Sequence, residues 1–492
     1  MQKKFETVIG LEVHSQLMTR SKMFCPCRSD YQNSSPNTLV CPVCLGMPGM
    51  LPVLNKNAID LVIETGLALN CDIAAETKFD RKNYHYPDLM KGYQISQFDL
   101  PIAQNGSLTI NLGDGDKTIR IERIHLEEDV AKLLHRETFN GEKYSLLDIN
   151  RAGVPLMEIV THPDLRSPEE AHEYLINLHS IIKFIEVSTA NMEEGSFRCD
   201  ANISTRYYGE NDYGPKVEIK NVNSFKSVFQ ALKYEEKRQR NAITNGERIV
   251  QETRGWSDDR GTTVSQRSKE TASDYRYFPE PDIPPVHIGH DWIETIQSKT
   301  SELPKSRAQK YVESYSINDY DAQLITTSKE ISELFETTIK EIIKIDINLE
   351  KGAKSVANWI NVELPRLLRE QNSDLSEIKA APENLAHLVK LIDQGQISNT
   401  MAKTVFDESF LTGESPAEIS SRLGLVQISD KNSLNLVVEE VLQENPKTIQ
   451  DYLDGKNSAL RFLVGQIMKK TKGNANPKMA SEILETTLGT RR

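Results

Sequence analysis

The chain changes hydrophobic rhythm part-way along, from a period of two to a helical period. In ETVIGLEVH, Ile9, Leu11 and Val13 alternate with Glu12 and His14. In SFRCDANIS, Phe197, Cys199, Ala201 and Ile203 alternate with Ser196, Arg198, Asp200, Asn202 and Ser204. KVEIK alternates Val217 and Ile219 with Lys216, Glu218 and Lys220, and VPLMEIV sets Glu158 opposite Met157 and Ile159. LGDGDK reads as a hairpin turn leading into TIRIERIHLEED, which ends in Glu127, Glu128 and Asp129. Such alternation predicts a largely antiparallel sheet with one buried and one polar face.

Two helices are expected to brace this half. Ser167-Pro168-Glu169-Glu170 has the form of a capping box with proline at the first helical position. Behind it Ala171, Tyr174, Leu175, Leu178, Ile181, Ile182 and Ile185 make one apolar stripe. A second helix is predicted from Ser224, with Phe225, Val228, Phe229 and Leu232 inward and EEKRQR as a solvated end. After Trp292 the patterns are helical; Leu385, Leu388, Val389 and Ile392 share one face, and that helix stops at Gly395. Ser415 opens another capping box. The fold class expected is mixed α/β (α+β). An antiparallel cradle domain spans 1–292 with a metal-binding insertion at about 21–49, followed by a helical domain at 293–396 and a small helical tail domain at 397–492.

Composition narrows the class. A length of 492 residues suits two to four domains, and 38% hydrophobic residues suffice for a buried core. No apolar run reaches membrane-span length, and the N-terminus lacks a signal-peptide core, so a soluble cytoplasmic protein is expected. The net charge of -12 argues against wrapping nucleic acid over the whole surface. A local exception runs from Arg461 to Arg492, where Lys469, Lys470, Lys472 and four other basic residues face only Glu482 and Glu485. Either a solubilising end or a nucleic-acid contact fits that excess.

The polar face of the sheet has an unusual residue mix. A face that merely meets water is rich in Lys, Thr and Gln; this one gathers Glu12, His14, Glu128, Glu158, Asp200 and Glu218 with Arg198 and Lys220. Close carboxylates repel unless cations sit between them. Hard oxygen ligands with one imidazole suit magnesium or manganese, commonly together with phosphates.

The segment KFDRKNYHYPDLMKGYQISQFD, Lys78 to Asp99, follows neither period. It interleaves Lys78, Arg81, Lys82 and Lys91 with Tyr84, His85, Tyr86, Tyr93 and Asp88. Cations among aromatic rings suit a site that grips phosphates and stacks a base, although a solvated loop has the same composition. A second aromatic cluster, DYRYFPEPD at 274–282, is stiffened by proline and either packs over the sheet or lines a cleft.

Cys25, Cys27, Cys41 and Cys44 form C-x-C, thirteen residues, then C-P-V-C. Two close thiol pairs joined by a short loop are what tetrahedral zinc requires, and four thiolates leave no open position, so the expected zinc is structural. Cys71 and Cys199 read as ordinary buried cysteines. The chain shows neither a GxxxxGK[ST] loop nor a G-x-G-x-x-G after a strand, so any ATP would lie on a sheet face. Ser34-Ser35 lacks the glycine-rich surroundings of an amidase nucleophile.

ETVIGLEVH, the Lys78–Asp99 segment, HLEED, VPLMEIV, EEGSFRCDANIS, DYRYFPEPD and FLVGQIMKKTKGNANP, in this order and nearly end to end, resemble the B subunit family of the glutamyl/aspartyl-tRNA amidotransferase. The resemblance implies a carbon–nitrogen ligase subunit. It would use ATP to activate the side-chain carboxylate of misacylated Glu-tRNA(Gln) or Asp-tRNA(Asn), which is then amidated with ammonia. It also implies a heterotrimer with a glutaminase A subunit and a small C subunit, with misacylated tRNA as substrate and no membrane contact. Glu12, His14, Glu128 and Glu158 match the family's metal positions, with Asp200 a further candidate ligand for magnesium or manganese. Lys78, Arg81 and Lys82 would hold phosphates or the tRNA end, Arg198 and Lys220 would offset charge on an acyl phosphate, and Tyr84 and Tyr86, beside Asp88, would stack on a base. Lys469, Lys470 and Lys472 would meet the tRNA backbone. Two other readings stand beside this one at the level of sequence: a non-catalytic zinc-stabilised tRNA-binding scaffold, and a free-standing ATP-dependent ligase using free ammonia.

Overall fold

The computed structural model describes residues 4–113, 115–268, 275–300, 302–379, 381–425, 431–453, 456, 458–471 and 474–489. The chain divides into two compact units, Met1–Leu303 and Pro304–Arg492. The first is built on a nine-stranded sheet. From edge to edge its strands are Thr262–Ser268, Glu252–Ser257, Val217–Lys220, Phe197–Tyr207, Phe5–Gln16, Pro155–Thr161, Asp116–Glu128, Ala103–Asn111 and Asp72–Ile73. All neighbours are antiparallel except Val217–Lys220 and Glu252–Ser257.

The alternating apolar residues face one way. Ile9, Leu11, Val13, Phe197, Cys199, Ala201, Ile203, Val217 and Ile219 are all buried, in one cluster with Ala171, Tyr174, Leu175, Leu178 and Ile182 from the helix Pro168–Phe184. Val228, Ala231 and Leu232 of the helix Phe225–Thr244 and Ile59, Val62 and Ile63 of the helix Lys56–Ala68 complete this layer. The Ser167 side chain accepts from Glu170 N as a cap should. The Glu170 carboxylate instead accepts from Arg166 N and Lys117, so only half of the expected box forms. The expected solvated end of the second helix is partly interior. Glu235 and Gln239 are fully buried, because Arg238 and Arg254 flank Glu235 and Thr263 donates to it.

Two smaller pieces adjoin the polar side. Asp80–Asn83 lies between Tyr93–Ser96 and Phe278–Pro279 in a three-stranded sheet, so the irregular 78–99 segment and the second aromatic cluster meet. The cysteine-bearing segment is tied to the body by Met23 and Phe24, which belong to the main core.

The second unit is helical and has two cores. One runs from Ala308 to Ile419, the other from Leu434 to Leu488. These cores do not part at Ile397. Met401, Ala402, Val405, Phe406 and Phe410 share a cluster with Leu385, Leu388 and Val389, so the helices on either side of residue 397 fold as one. The first boundary also moves, since Ile296 is still part of the sheet's core. Ser415 makes the full capping box expected of it. Among the described residues no helix is long and apolar enough to cross a membrane.

Candidate active site and thiolate cluster

Register decides which polar side chains meet. His14 lies opposite Glu158 on one neighbouring strand and Arg198 on the other, and Glu158 lies opposite His125. His14 Nε2 is 3.4 Å from Glu158 Oε2 and 3.7 Å from Glu127 Oε1. His125 Nε2 reaches the same Glu158 oxygen at 3.2 Å. His14, Glu127 and Glu158 each offer a ligand atom within 4.8 Å of the others. One imidazole and two carboxylates form a donor set that fits a magnesium or manganese ion. Burial disfavours the His14 imidazolium, but Glu158 and Glu127 outweigh it and hold its pKa above the ordinary imidazole value. Burial likewise opposes the Glu158 carboxylate, yet His125 and His14 pull its pKa well below the usual range.

The structure does not bring Glu128 to this cluster. Its carboxylate accepts from Lys91 Nζ at 2.5 Å and Ile95 N at 3.0 Å, on the wall of a cavity of about 200 Å³ that Cys25, Met47 and Tyr93 also line. The physical reason is a bulge. Val160 pairs with Arg123 but Thr161 pairs with Ile121, which makes Glu122 an extra residue. Ile119 and Ile121 face the core before it, Ile124 and Leu126 after it. The phase therefore flips, Glu128 follows Leu126, and His125 and Glu127 take the polar face. The sequence carried that signal in the three-residue step from Ile121 to Ile124. Neither His125 nor Glu127 was among the expected ligands.

Glu12 and Asp200 stand opposite each other, one row along the same face from His14. Glu12 accepts from Asn202 at 2.8 Å, and Asp200 accepts from Lys220 at 2.6 Å. Lys220 also sits 3.2 Å from Glu218.

Most of the expected cations are already paired. Lys78 bridges Asp80 and Asp99, each at 2.6 Å. Arg81 makes two 2.7 Å bonds to the buried Glu280 and a third at 3.3 Å to Asp282. Arg198 donates to the buried Asp129 at 2.9 Å, which Gln16 also meets at 2.7 Å. Lys82 differs: among the described residues no carboxylate lies within ion-pair distance of it, and its ammonium rests 5.1 Å from the Tyr275 ring centre. Burial disfavours its charge, but Glu127, Tyr277 and Glu158 raise its pKa above the usual lysine value. The half-buried Lys82 is thus held cationic beside the acidic cluster.

Aromatic rings surround Lys82. Tyr84 donates to Gln94 at 3.2 Å and meets Tyr275 edge-on at 5.7 Å, while Phe98 stacks on Tyr277 at 4.4 Å. Tyr86 points outward, more than half exposed. Asp88 lines a small cavity together with Cys44, Tyr93 and Gln94; its Oδ1 is buried without a partner, and burial raises its pKa.

The four cysteines converge. The sulfurs of Cys25, Cys27, Cys41 and Cys44 lie within 4.8 Å of one another, with no disulfide among them. Cys41 N–H donates to Cys44 Sγ at 3.2 Å within a turn closed by Leu45 N to Cys41 O. Gly46 follows at φ +67°, where a side chain would collide with Lys91. The hydrogen bond from Cys25, outweighing burial, lowers the Cys44 pKa to about 4, with Cys41 N–H and Lys22 acting in the same direction. That bond and burial push the Cys25 thiol up, and burial takes Cys27 to about 11. The cluster therefore already favours one thiolate. Four sulfur donors in this spacing, two buried (Cys25 and Cys44) and two partly exposed (Cys27 and Cys41), fit zinc.

In the second unit, Lys469 is exposed at the end of the helix Ser458–Lys470. Lys470 is paired with Glu444 at 2.7 Å and Glu440 at 3.0 Å. Lys472 lies outside the described residues.

Residues 7–294 match the GatB/GatE catalytic domain and residues 333–488 the GatB domain. The chain belongs to this family. It is 53% identical over 487 residues to the B subunit of the aspartyl/glutamyl-tRNA(Asn/Gln) amidotransferase of Dehalococcoides mccartyi (strain CBDB1), spanning 99% of both chains. Its identity to the same-named proteins of Carboxydothermus hydrogenoformans and Thermomicrobium roseum is 49% over 486 and 50% over 485 residues, again spanning 99% of both chains. The acidic cluster and the four cysteines both fall within the matched catalytic domain.

Proposed function

We propose that this chain is the ATP-using subunit of a tRNA-dependent amidotransferase and that it activates the side-chain carboxylate of misacylated Glu-tRNA(Gln), Asp-tRNA(Asn) or both. The observation that carries the reading is the convergence of His14, Glu127, Glu158 and Lys82 on the polar face of the sheet. A carboxylate resists ammonia because its oxygen is a poor leaving group. Transfer of the ATP γ-phosphate to that oxygen gives an acyl phosphate and releases ADP; ammonia then attacks the carbonyl carbon, loses a proton and expels inorganic phosphate, leaving the amide. Phosphoryl transfer asks the protein chiefly for positioning and charge.

His14, Glu127 and Glu158 are the residues placed to hold a magnesium or manganese ion, with Glu12 and Asp200 next along the face. When bound, that ion supplies charge neutralisation for phosphoryl oxygens. Lys82 supplies a cation not already committed to a carboxylate, and the rings of Tyr84, Tyr275 and Tyr277 keep water from its flank. Lys78, Arg81, Arg198 and Lys220, with their carboxylate partners, shape the walls. Asp88 and Tyr86 sit at the rim, where the tRNA end would pass.

The cysteine cluster holds structural zinc in this reading. The subunit works in a heterotrimer with a glutaminase A subunit that supplies ammonia and a small C subunit, and Lys469 and its neighbours contact tRNA. Transfer of the γ-phosphate to misacylated tRNA, measured in the assembled complex, tests the proposal. Glu127→Gln and Lys82→Met are expected to reduce it by a factor on the order of 100 or more, with tRNA affinity little changed. Glu128→Gln is expected to do less. Unchanged transfer in the first two variants would overturn the reading.

A further inference from the structure

Lys22 is 0% exposed, the most deeply buried lysine among the described residues. Its Nζ donates to Leu39 O at 2.8 Å and lies 3.7 Å from Cys44 Sγ. Among the described residues it has no carboxylate within ion-pair distance. Its backbone is fixed as well: Lys22 N donates to Cys27 O at 2.8 Å, and Met23 N donates to Gly153 O at 2.7 Å. Gly153, at φ +86°, lies against its stem, where an added Cβ would come to 3.4 Å.

A buried ammonium served by one neutral carbonyl is unfavourable unless an anion faces it. The sulfur beside it belongs to a cluster with the opposite need. Zinc held by four thiolates would be a dianion, and the sulfur facing Lys22 belongs to Cys44, one of the two buried cysteines of the four. Each charge resolves the other's desolvation. The geometry points to Lys22 as the counter-charge of the four-cysteine metal site, a positioning residue that offsets the site's negative charge and so retains the metal. This rests on the reading that the cluster binds zinc.

The test uses the full-length protein in its complex, with zinc content measured by elemental analysis and zinc release to a chromogenic chelator followed in time. Wild type is expected to hold about one zinc per chain. Lys22→Gln keeps a donor for Leu39 but removes the charge; Lys22→Met removes both. Both are expected to release zinc roughly 10–100-fold faster, the usual effect of losing a partner of a metal ligand. Lys22→Arg keeps the charge and is expected to stay near wild type. If Lys22→Met does not fold, Lys22→Gln carries the comparison. Release from Lys22→Gln at the wild-type rate, or equal acceleration in Lys22→Gln and Lys22→Arg, overturns the role of the charge. A wild type without zinc overturns instead the metal reading on which it stands.

Discussion

At the scale of single residues, chemistry depends on which neighbour has already claimed a side chain. Lys78, Arg81, Lys82, Arg198 and Lys220 are equivalent as letters. Four of them turn inward to carboxylates, and only Lys82 is held as a cation without one. The same holds for histidines. His179 lies between the rings of Phe197 and Phe225, at 5.6 and 5.2 Å, with Nε2 2.9 Å from Ala190 O. Burial lowers its pKa, against the Ala190 hydrogen bond and with help from Lys183. The unfolded chain therefore takes up this proton more readily than the folded one. The contribution of His179 is fully present above the unfolded value of about 6.5 and is lost as pH falls through the lower folded value. His179→Gln is expected to flatten the fall in melting temperature between about pH 7.5 and about pH 5. An unchanged slope would show that His179 does not contribute to it.

At the scale of elements, pairing creates what composition only suggests. The second aromatic cluster is fastened to the Asp80–Asn83 strand at Phe278–Arg81 and Pro279–Asp80. Arg81 and Glu280 lock that junction, and Glu280 N donates to Phe79 O. The Glu280 side chain is fully buried and the Arg81 side chain only a fifth exposed, so removing one partner strands a charge. Glu280→Ala is expected to cost about 3 kcal/mol in urea unfolding. It is also expected to open residues 275–282 to protease. Undiminished resistance there would show that the backbone pairing alone holds the wall.

At the scale of the whole molecule, hydrophobic clusters set the true divisions. The core from Ala308 to Ile419 crosses residue 397, and a separate core begins at Leu434. Removing everything after residue 425 is expected to leave cooperative melting of the helical core while weakening tRNA binding. Removing everything after residue 396 strips Phe406 and Phe410 from their partners, and melting is expected to broaden or vanish. Calorimetry of the two truncations distinguishes these outcomes; equal cooperativity would mean that the two halves of that core fold independently.

Local pattern alone determined a good deal. The period-two runs named the strands at Phe5–Gln16, Phe197–Tyr207 and Val217–Lys220 and their buried faces, because alternation follows from backbone geometry. Cysteine spacing named the thiolate cluster, because two pairs within twenty residues need only a local fold to meet. Motif order named the family. What the tertiary structure decided was convergence. A bulge at Glu122 moved Glu127, not Glu128, to the polar face, register set His125 against Glu158, and the remote carboxylates Glu280 and Asp129 claimed Arg81 and Arg198. Those outcomes depend on pairings between segments far apart along the chain, and no local window contains both partners.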